Sequence, residues 1–238
     1  MKIKTGKVYI IGGGPGDPGL ITVKGLDALR KADCVLYDFL SAPELLLNTK
    51  KKCQKICVGK SDKVHLWPQE SINSLLYEKA VRHKVVVRLK GGDPFVFSRG
   101  WEEASYLRKK GVETEVIPGV TSATAGPLSF GIPLTIKDRV TSLAIVTGRK
   151  KDPEAPIEAP KCGTLVYLMA VANIANVVNA LKKSGRKAKT PCAFIERSTL
   201  DGARIVYATL ATLEKTSRKK KIKPPAVLIV GEAVKYGN

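Results

Sequence analysis

Val8, Tyr9, Ile10 and Ile11 form an unbroken apolar run that stops at a glycine. A short apolar run bounded by turn residues predicts a strand buried on both faces. The pattern recurs at 33–37 and 85–89 and, in shorter form, at 56–58 and 115–117. Between these runs the spacing of apolar positions changes to three and four residues, which predicts helices. Residues 22–31 carry Leu26 and Leu29, residues 69–79 carry Ile72, Leu75 and Leu76, and residues 101–109 end just before Gly111, a fitting C-terminal cap. A short helix is expected at 44–48. Strands and helices in alternation predict a parallel sheet covered on both faces.

The pattern changes after Gly131-Ile132-Pro133-Leu134. Strands are predicted at 143–147, 164–168, 192–196, 204–209 and 226–230, with one clear helix at 174–182 and a polar, proline-bearing loop at 150–161. Several closely spaced strands suggest a mixed sheet. The expected organisation is therefore an N-terminal α/β domain over 1–133, a linker over 134–138 and a C-terminal α/β domain over 139–238.

Composition alters this picture only through charge. The hydrophobic share, 44%, suits a globular chain, but 41 Lys and Arg stand against 21 Asp and Glu, a net charge of +20. Part of the excess is clustered at 50–55, 182–189 and 218–223. Such charge is either a solvated face or a field that draws anions, and a polycarboxylate metabolite and a nucleic acid fit it equally well. No basic–aromatic repeat marks a binder of single strands, so nucleic acid is not the expected partner.

The cysteines add no site. Cys53 and Cys57 lack a second pair or a histidine cluster to complete a tetrahedral metal centre, so no metal is expected and the thiols read as reduced. No stretch of about 18 apolar residues predicts a membrane span. The N-terminal residues lack the apolar segment of a signal peptide, and a cytoplasmic protein is expected.

Two glycine-rich turns carry the candidate chemistry. Gly12-Gly13-Gly14-Pro15-Gly16-Asp17-Pro18 follows the first predicted strand, and Gly91-Gly92-Asp93-Pro94 follows the strand at 85–89. In an open α/β sheet, the carboxyl ends of strands are where ligands bind. Neither turn is a nucleotide fingerprint. Asp17 occupies the place of the third glycine of a dinucleotide loop, and Pro15 and Pro18 remove backbone donors that a phosphate cradle requires. No Walker-type loop is present either.

These turns belong to an ordered set of motifs. The set comprises residues 8–18, Tyr37-Asp38, Val58-Gly59-Lys60, and His65 with Pro68, Gln69, Ile72 and Asn73. It continues through residues 87–97, Pro118-Gly119-Val120-Thr121-Ser122-Ala123, residues 131–135, Tyr167-Leu168-Met169 and Glu196-Arg197. Over almost its full length the chain resembles the tetrapyrrole (corrin/porphyrin) methylase family, most closely its uroporphyrinogen branch.

The resemblance implies a two-domain α/β enzyme with an interdomain active-site cleft, working as a homodimer. It implies S-adenosyl-L-methionine as methyl donor, S-adenosyl-L-homocysteine as product and uroporphyrinogen III as substrate. Matched residue by residue, the cofactor contacts are Pro15, Gly91, Gly92, Asp93, Val96, Thr121, Ser122, Met169 and Ser198. Asp38 and Lys60 match the acid–base pair. Basic residues near the turns, His65, Arg88, Lys90 and Arg99, are the candidates for holding substrate carboxylates at the mouth of the site. The alternatives are another precorrin methylase or a protein that binds or methylates RNA. Three departures from the family pattern touch the expected substrate loops: Ser61 for arginine, Trp101 for glycine, and residues 136–142.

Overall fold

The computed structural model describes residues 4–38, 43–59, 67–152 and 154–237. It divides into two compact units, Met1–Thr121 and Ser122–Asn238.

The first unit is a five-stranded parallel sheet of β1 (Lys7–Gly12), β2 (Cys34–Tyr37), β3 (Gln54–Cys57), β4 (Val85–Lys90) and β5 (Thr114–Ile117), in the order β3-β2-β4-β1-β5. Its helices are α1 (Val23–Lys31), α2 (Gln69–Arg82) and α3 (Gly100–Lys109). Alternation along each strand serves two cores. Val8 and Ile10 of β1 pack with Ile72 and Leu76 of α2 and with Ala104 and Leu107 of α3. Ile11 packs with Ala28 and Leu29 of α1 on the opposite face. The inner strands β1, β2 and β4 are thus buried on both sides, which is why they read as continuous apolar runs, while the edge strands β3 and β5 are partly exposed. The Thr22 hydroxyl caps α1 by accepting from the Gly25 N–H at 3.1 Å. Gly111, at φ +78°, ends α3 as the sequence predicts.

This topology positions the site. The chain leaves β1 toward α1 on one face and leaves β4 toward α3 on the other. β1 and β4 are neighbours, so the loops that follow them start side by side at the carboxyl edge, where ligands bind in open α/β sheets.

The second unit is a mixed sheet of β6 (Leu143–Thr147), β7 (Thr164–Leu168), β8 (Pro191–Glu196), β9 (Arg204–Thr209) and β10 (Ala226–Gly231), in the order β6-β7-β10-β8-β9. Only β6 and β7 run parallel as neighbours. Helices α5 (Ile174–Lys183) and α6 (Leu213–Lys219) cover one face through Val177, Leu181 and Leu213. The other face is covered by α4 (Ser122–Leu128) and residues around Ile132 and Val234.

Here the organisation differs from the sequence expectation. The division falls between Thr121 and Ser122, and the segment expected as a linker at 134–138 lies inside the second unit. The reason is burial. Ala123 of α4 and Ile132 sit against Val166, Ala193 and Ile229 of the second sheet. Residues 136–140 form a closed turn, with Ile136 and Val140 exchanging backbone hydrogen bonds of 2.9 Å.

Candidate active site

In the first unit the loops after β1, β4 and β5 interlock through their backbones. Gly13 N–H donates to Lys90 O at 2.7 Å, and Gly92 N–H donates to Gly14 O at 2.7 Å. The Asp93 carboxylate bridges two of these loops. One oxygen accepts from Gly119 N–H at 3.0 Å and the other from Phe95 N–H at 2.7 Å. A Cβ at Gly12 would lie 2.5 Å from Gly92 O, and a Cβ at Gly119 would lie 2.4 Å from the same oxygen. These glycines are required by close approach. Gly92 is a different case. It adopts φ +66°, and its absent Cβ would meet only the Thr121 Cα, at 3.9 Å. Its glycine satisfies the left-handed backbone and leaves the side-chain position open beside Thr121, while its N–H and C=O are paired with Gly14. Asp17 acts locally, accepting from Gly19 N–H at 2.7 Å to cap a 3-10 turn.

Beside this junction lies a buried quartet of charges. Asp38 follows β2, and its side chain is 27% exposed. Arg88, in the middle of β4, donates from Nη2 to Asp38 Oδ1 at 2.5 Å, from Nε to Glu103 Oε1 at 3.1 Å and from Nη1 to Leu89 O at 3.1 Å. Lys90 Nζ lies 3.2 Å from Glu103 Oε1 and 3.8 Å from Asp38 Oδ2. Gln69 of α2 donates to the same Glu103 oxygen at 3.2 Å. Glu103 Oε2 is buried with no partner among the described residues. Two acids face two bases, so the set is neutral when all four ionise.

The environments of the two bases push them apart. Burial would lower the Arg88 guanidinium, but Glu103 and Asp38 outweigh it and hold it above its ordinary range. Burial pulls the Lys90 ammonium below the usual lysine range, Arg88 adds to that, and the carboxylates offset only part.

Arg88 and Lys90 were expected at a substrate mouth. Both side chains are instead almost wholly inside the protein, because β4 is the central strand of the sheet and α3 brings Glu103 against it. Arg99 is exposed and forms a two-pronged pair with Glu102, at 2.9 and 2.6 Å, which raises its guanidinium. Pro15, Gly91, Val96 and Thr121 are half-buried around the junction. Lys60 and His65 lie outside the described residues. Sequence reading passed over Glu103, although a signal was present. It shares the buried stripe of α3 with Gly100, Ala104 and Leu107, where an unpaired acid is not tolerated.

In the second unit, β7 and β8 both run antiparallel to β10, so their carboxyl ends share one edge. Met169 follows β7 at φ +58° and is 48% exposed. Ser198 follows β8 and is buried beside Gly126, between Arg197 at φ +50° and Thr199 at φ +66°. Left-handed backbone at non-glycine residues is uncommon and concentrates at functional sites.

Among the described residues, no group of three or more His, Cys, Asp or Glu forms a metal-binding cluster, and no helix is long and apolar enough to cross a membrane.

A sequence model of the Tetrapyrrole (Corrin/Porphyrin) Methylases matches residues 7–214, and the chain belongs to that family. Its relatives narrow the branch. It is 45% identical to the uroporphyrinogen-III C-methyltransferase of Methanocaldococcus jannaschii over 235 residues, covering 97% of each chain. The fold superposes on the Thermus thermophilus uroporphyrin-III C-methyl transferase solved in complex with S-adenyl homocysteine. The TM-score is 0.80 at 37% identity, over 96% of this chain and 93% of that one. A cobalt precorrin-4 methyltransferase, CbiF, gives a TM-score of 0.84 at 30% identity, over 96% and 95%.

Proposed function

We propose that this protein transfers methyl groups from S-adenosyl-L-methionine to C2 and C7 of uroporphyrinogen III, forming precorrin-2. The observation that carries the reading is the first-unit junction. A backbone-walled step at Gly91-Gly92 opens beside Thr121, and a partly exposed Asp38 stands at the carboxyl end of a sheet strand in the same unit. The likeness to uroporphyrinogen-III C-methyltransferases along nearly the whole chain supports it.

The residues present fit the methyl donor. The space where a Gly92 side chain would stand admits close approach by a ligand, while the Gly92 amide and carbonyl themselves are paired with Gly14. Pro15, Gly91, Gly92, Asp93, Val96 and Thr121 belong to that contact set, and the resemblance adds Ser122, Met169 and Ser198 of the second unit. Asp93 contributes mainly by fixing the Gly119 loop, since both its oxygens accept from backbone. Met169 offers a flexible thioether as an apolar surface. When bound, S-adenosyl-L-methionine supplies a methyl group already activated on a sulfonium sulfur, a reading that calls for no metal.

Asp38 then accepts the proton that the tetrapyrrole sheds as its pyrrole carbon gains the methyl group. Lys60 is the matching donor by resemblance. Arg99 and His65 are the candidates for meeting substrate carboxylates. The same reading places the protein in the cytoplasm as a homodimer.

An anaerobic incubation of the purified protein with labelled donor and uroporphyrinogen III, read by mass spectrometry, tests this. The expected product carries two added methyl groups. No methylated tetrapyrrole from folded, donor-binding protein would overturn the assignment, and label appearing in RNA alone would replace it. Asp38→Asn should lower single-turnover methylation roughly a thousandfold while S-adenosyl-L-homocysteine affinity stays within about twofold. Full activity in that variant would remove the role of Asp38.

A further inference from the structure

The quartet contains more charge than the proposed chemistry uses. Arg88 is enclosed, and three of its nitrogens are fixed: Nη1 by Leu36 O and Leu89 O, Nε by Glu103, and Nη2 by Asp38. A guanidinium held at three points is a rigid fork. It grips Asp38 Oδ1 at 2.5 Å, and among the described residues Oδ2 has only the more distant Lys90 ammonium, at 3.8 Å. The carboxylate therefore presents one oxygen in a fixed direction.

Two cations, Arg88 and Lys90, face the Asp38 carboxylate and would leave the site with excess positive charge. Glu103 answers this. It has no exposed surface, and its Oε1 takes up both Arg88 and Lys90. Its negative charge is shared with the cations that face Asp38.

We propose that Arg88 and Glu103 are positioning residues for methyl transfer, with Lys90 as the second buried cation paired with Glu103. Arg88 aims Asp38 Oδ2 at the proton to be removed, and Glu103 offsets the cationic field so that Asp38 can accept it. The proposal rests on the reading of Asp38 as proton acceptor. In the step it serves, an N–H or C–H bond of the tetrapyrrole breaks and its electron pair stays on the ring system. The proton forms an O–H bond on Asp38, and no oxidant or reductant takes part.

Several groups set the pH response. Among the described residues, Arg88 and Lys90 of β4 face Asp38. Glu103 of α3 faces both cations, and the neutral Gln69 of α2 faces Glu103. Arg99 and Glu102 act at longer range on Glu103 and Lys90.

The experiment is a pH–rate profile of single-turnover methylation of uroporphyrinogen III, with S-adenosyl-L-homocysteine affinity and thermal melting as controls. In Arg88→Met the acid limb should move up, since the carboxylate site loses a cation. The plateau should fall roughly tenfold or more, with KM and S-adenosyl-L-homocysteine affinity changing less than about twofold. In Glu103→Gln the limb should move down, because the cations are then less balanced. Arg88→Lys should restore the limb and leave the plateau reduced, since lysine lacks the rigid planar fork that fixes both carboxylates.

A merely structural role would lower the amount of active enzyme and leave the limb in place. If Arg88→Met fails to fold, Glu103→Gln and Arg88→Lys carry the test. An acid limb unmoved in every folded variant that changes the charge overturns the proposal. Asp38→Asn separates the two readings. Full activity there sinks the proton-acceptor reading itself. An inactive Asp38→Asn with unmoved limbs elsewhere sinks only the positioning role.

Discussion

The carboxyl edges of the two sheets meet similar demands in opposite ways. In the first unit the backbones of three loops press together, and the side chains are removed: Gly12, Gly92 and Gly119 meet where no Cβ fits or where the backbone turns left-handed. In the second unit the side chains mostly stay and the backbone bears the strain, with Met169, Arg197 and Thr199 all at positive φ; Phe97 at φ +48° in the first unit and Gly148, pressed against Ala170 in the second, are the exceptions. Each non-glycine residue at positive φ costs about 1–2 kcal/mol relative to ordinary backbone. Where chain must touch chain, glycine is obligatory.

This contrast is breakable by mutation. Gly119→Ala should have the largest effect. Its Cβ would meet backbone on two loops, so neither neighbour can rotate away. A loss of about 3 kcal/mol is expected, as for overpacking at a rigid site, together with loss of S-adenosyl-L-homocysteine binding. Gly185→Ala is the comparison: φ is +85° but nothing lies within 4 Å. It should cost about 1 kcal/mol, the conformational penalty alone. Denaturant midpoints would distinguish them, and equal losses would show that conformation rather than close approach governs the junction.

Met169→Asp probes the other edge. S-adenosyl-L-homocysteine affinity should fall roughly tenfold, about 1.4 kcal/mol, with the melting temperature nearly unchanged because the side chain is half exposed. Intact affinity by calorimetry would turn Met169 away from the cofactor. Arg99→Gln should weaken uroporphyrinogen III binding about fivefold, a contact of the charge-assisted kind. The Lys219→Gln, Lys220→Gln double variant should change it little, because exposed charge is screened beyond about 10 Å at 0.1 M salt. Binding measured against salt would separate a local contact from a diffuse field.

The smallest effect lies on strand β5. Lys24 and Lys7 hold the Glu115 carboxyl at about 2, down from 4.5. A depressed carboxylate stabilises the fold above about pH 4.5, and that contribution disappears as the pH falls through about 2. The pairs are near the surface, so screening limits the loss to below about 1 kcal/mol. Between those pH values the wild type should lose slightly more melting temperature than Glu115→Gln. Parallel melting curves would remove the contribution.

Strands of the first unit were legible because burial on both faces writes itself as runs of Val, Ile and Leu. The glycine turns were legible because close approach leaves only one residue type. Helix α4 was not, since Gly126 and Pro127 read as breakers while burial of Ala123 and Ala125 decides the outcome. Helix α6 was hidden in a lysine-rich stretch whose only apolar anchor is Leu213, packed on the sheet. The unit boundary was displaced for the same reason: packing, not punctuation, assigns α4. In the candidate site, Asp38 was singled out by its match to the family motif, and the structure places it directly after β2. The burial of Arg88 and Lys90 was not legible, because it depends on Glu103 arriving from a separate helix.

That dependence gives the chain an order of assembly. Arg88 and Glu103 are 15 residues apart, whereas Arg88 and Asp38 are 50 apart. Closing the shorter loop costs about 1 kcal/mol less chain entropy, so the arginine meets α3 before it meets β2. The central strand reaches the sheet with its charge already paired. A folding transition state in this unit should therefore contain β4 and α3 together, with β2 docking afterwards.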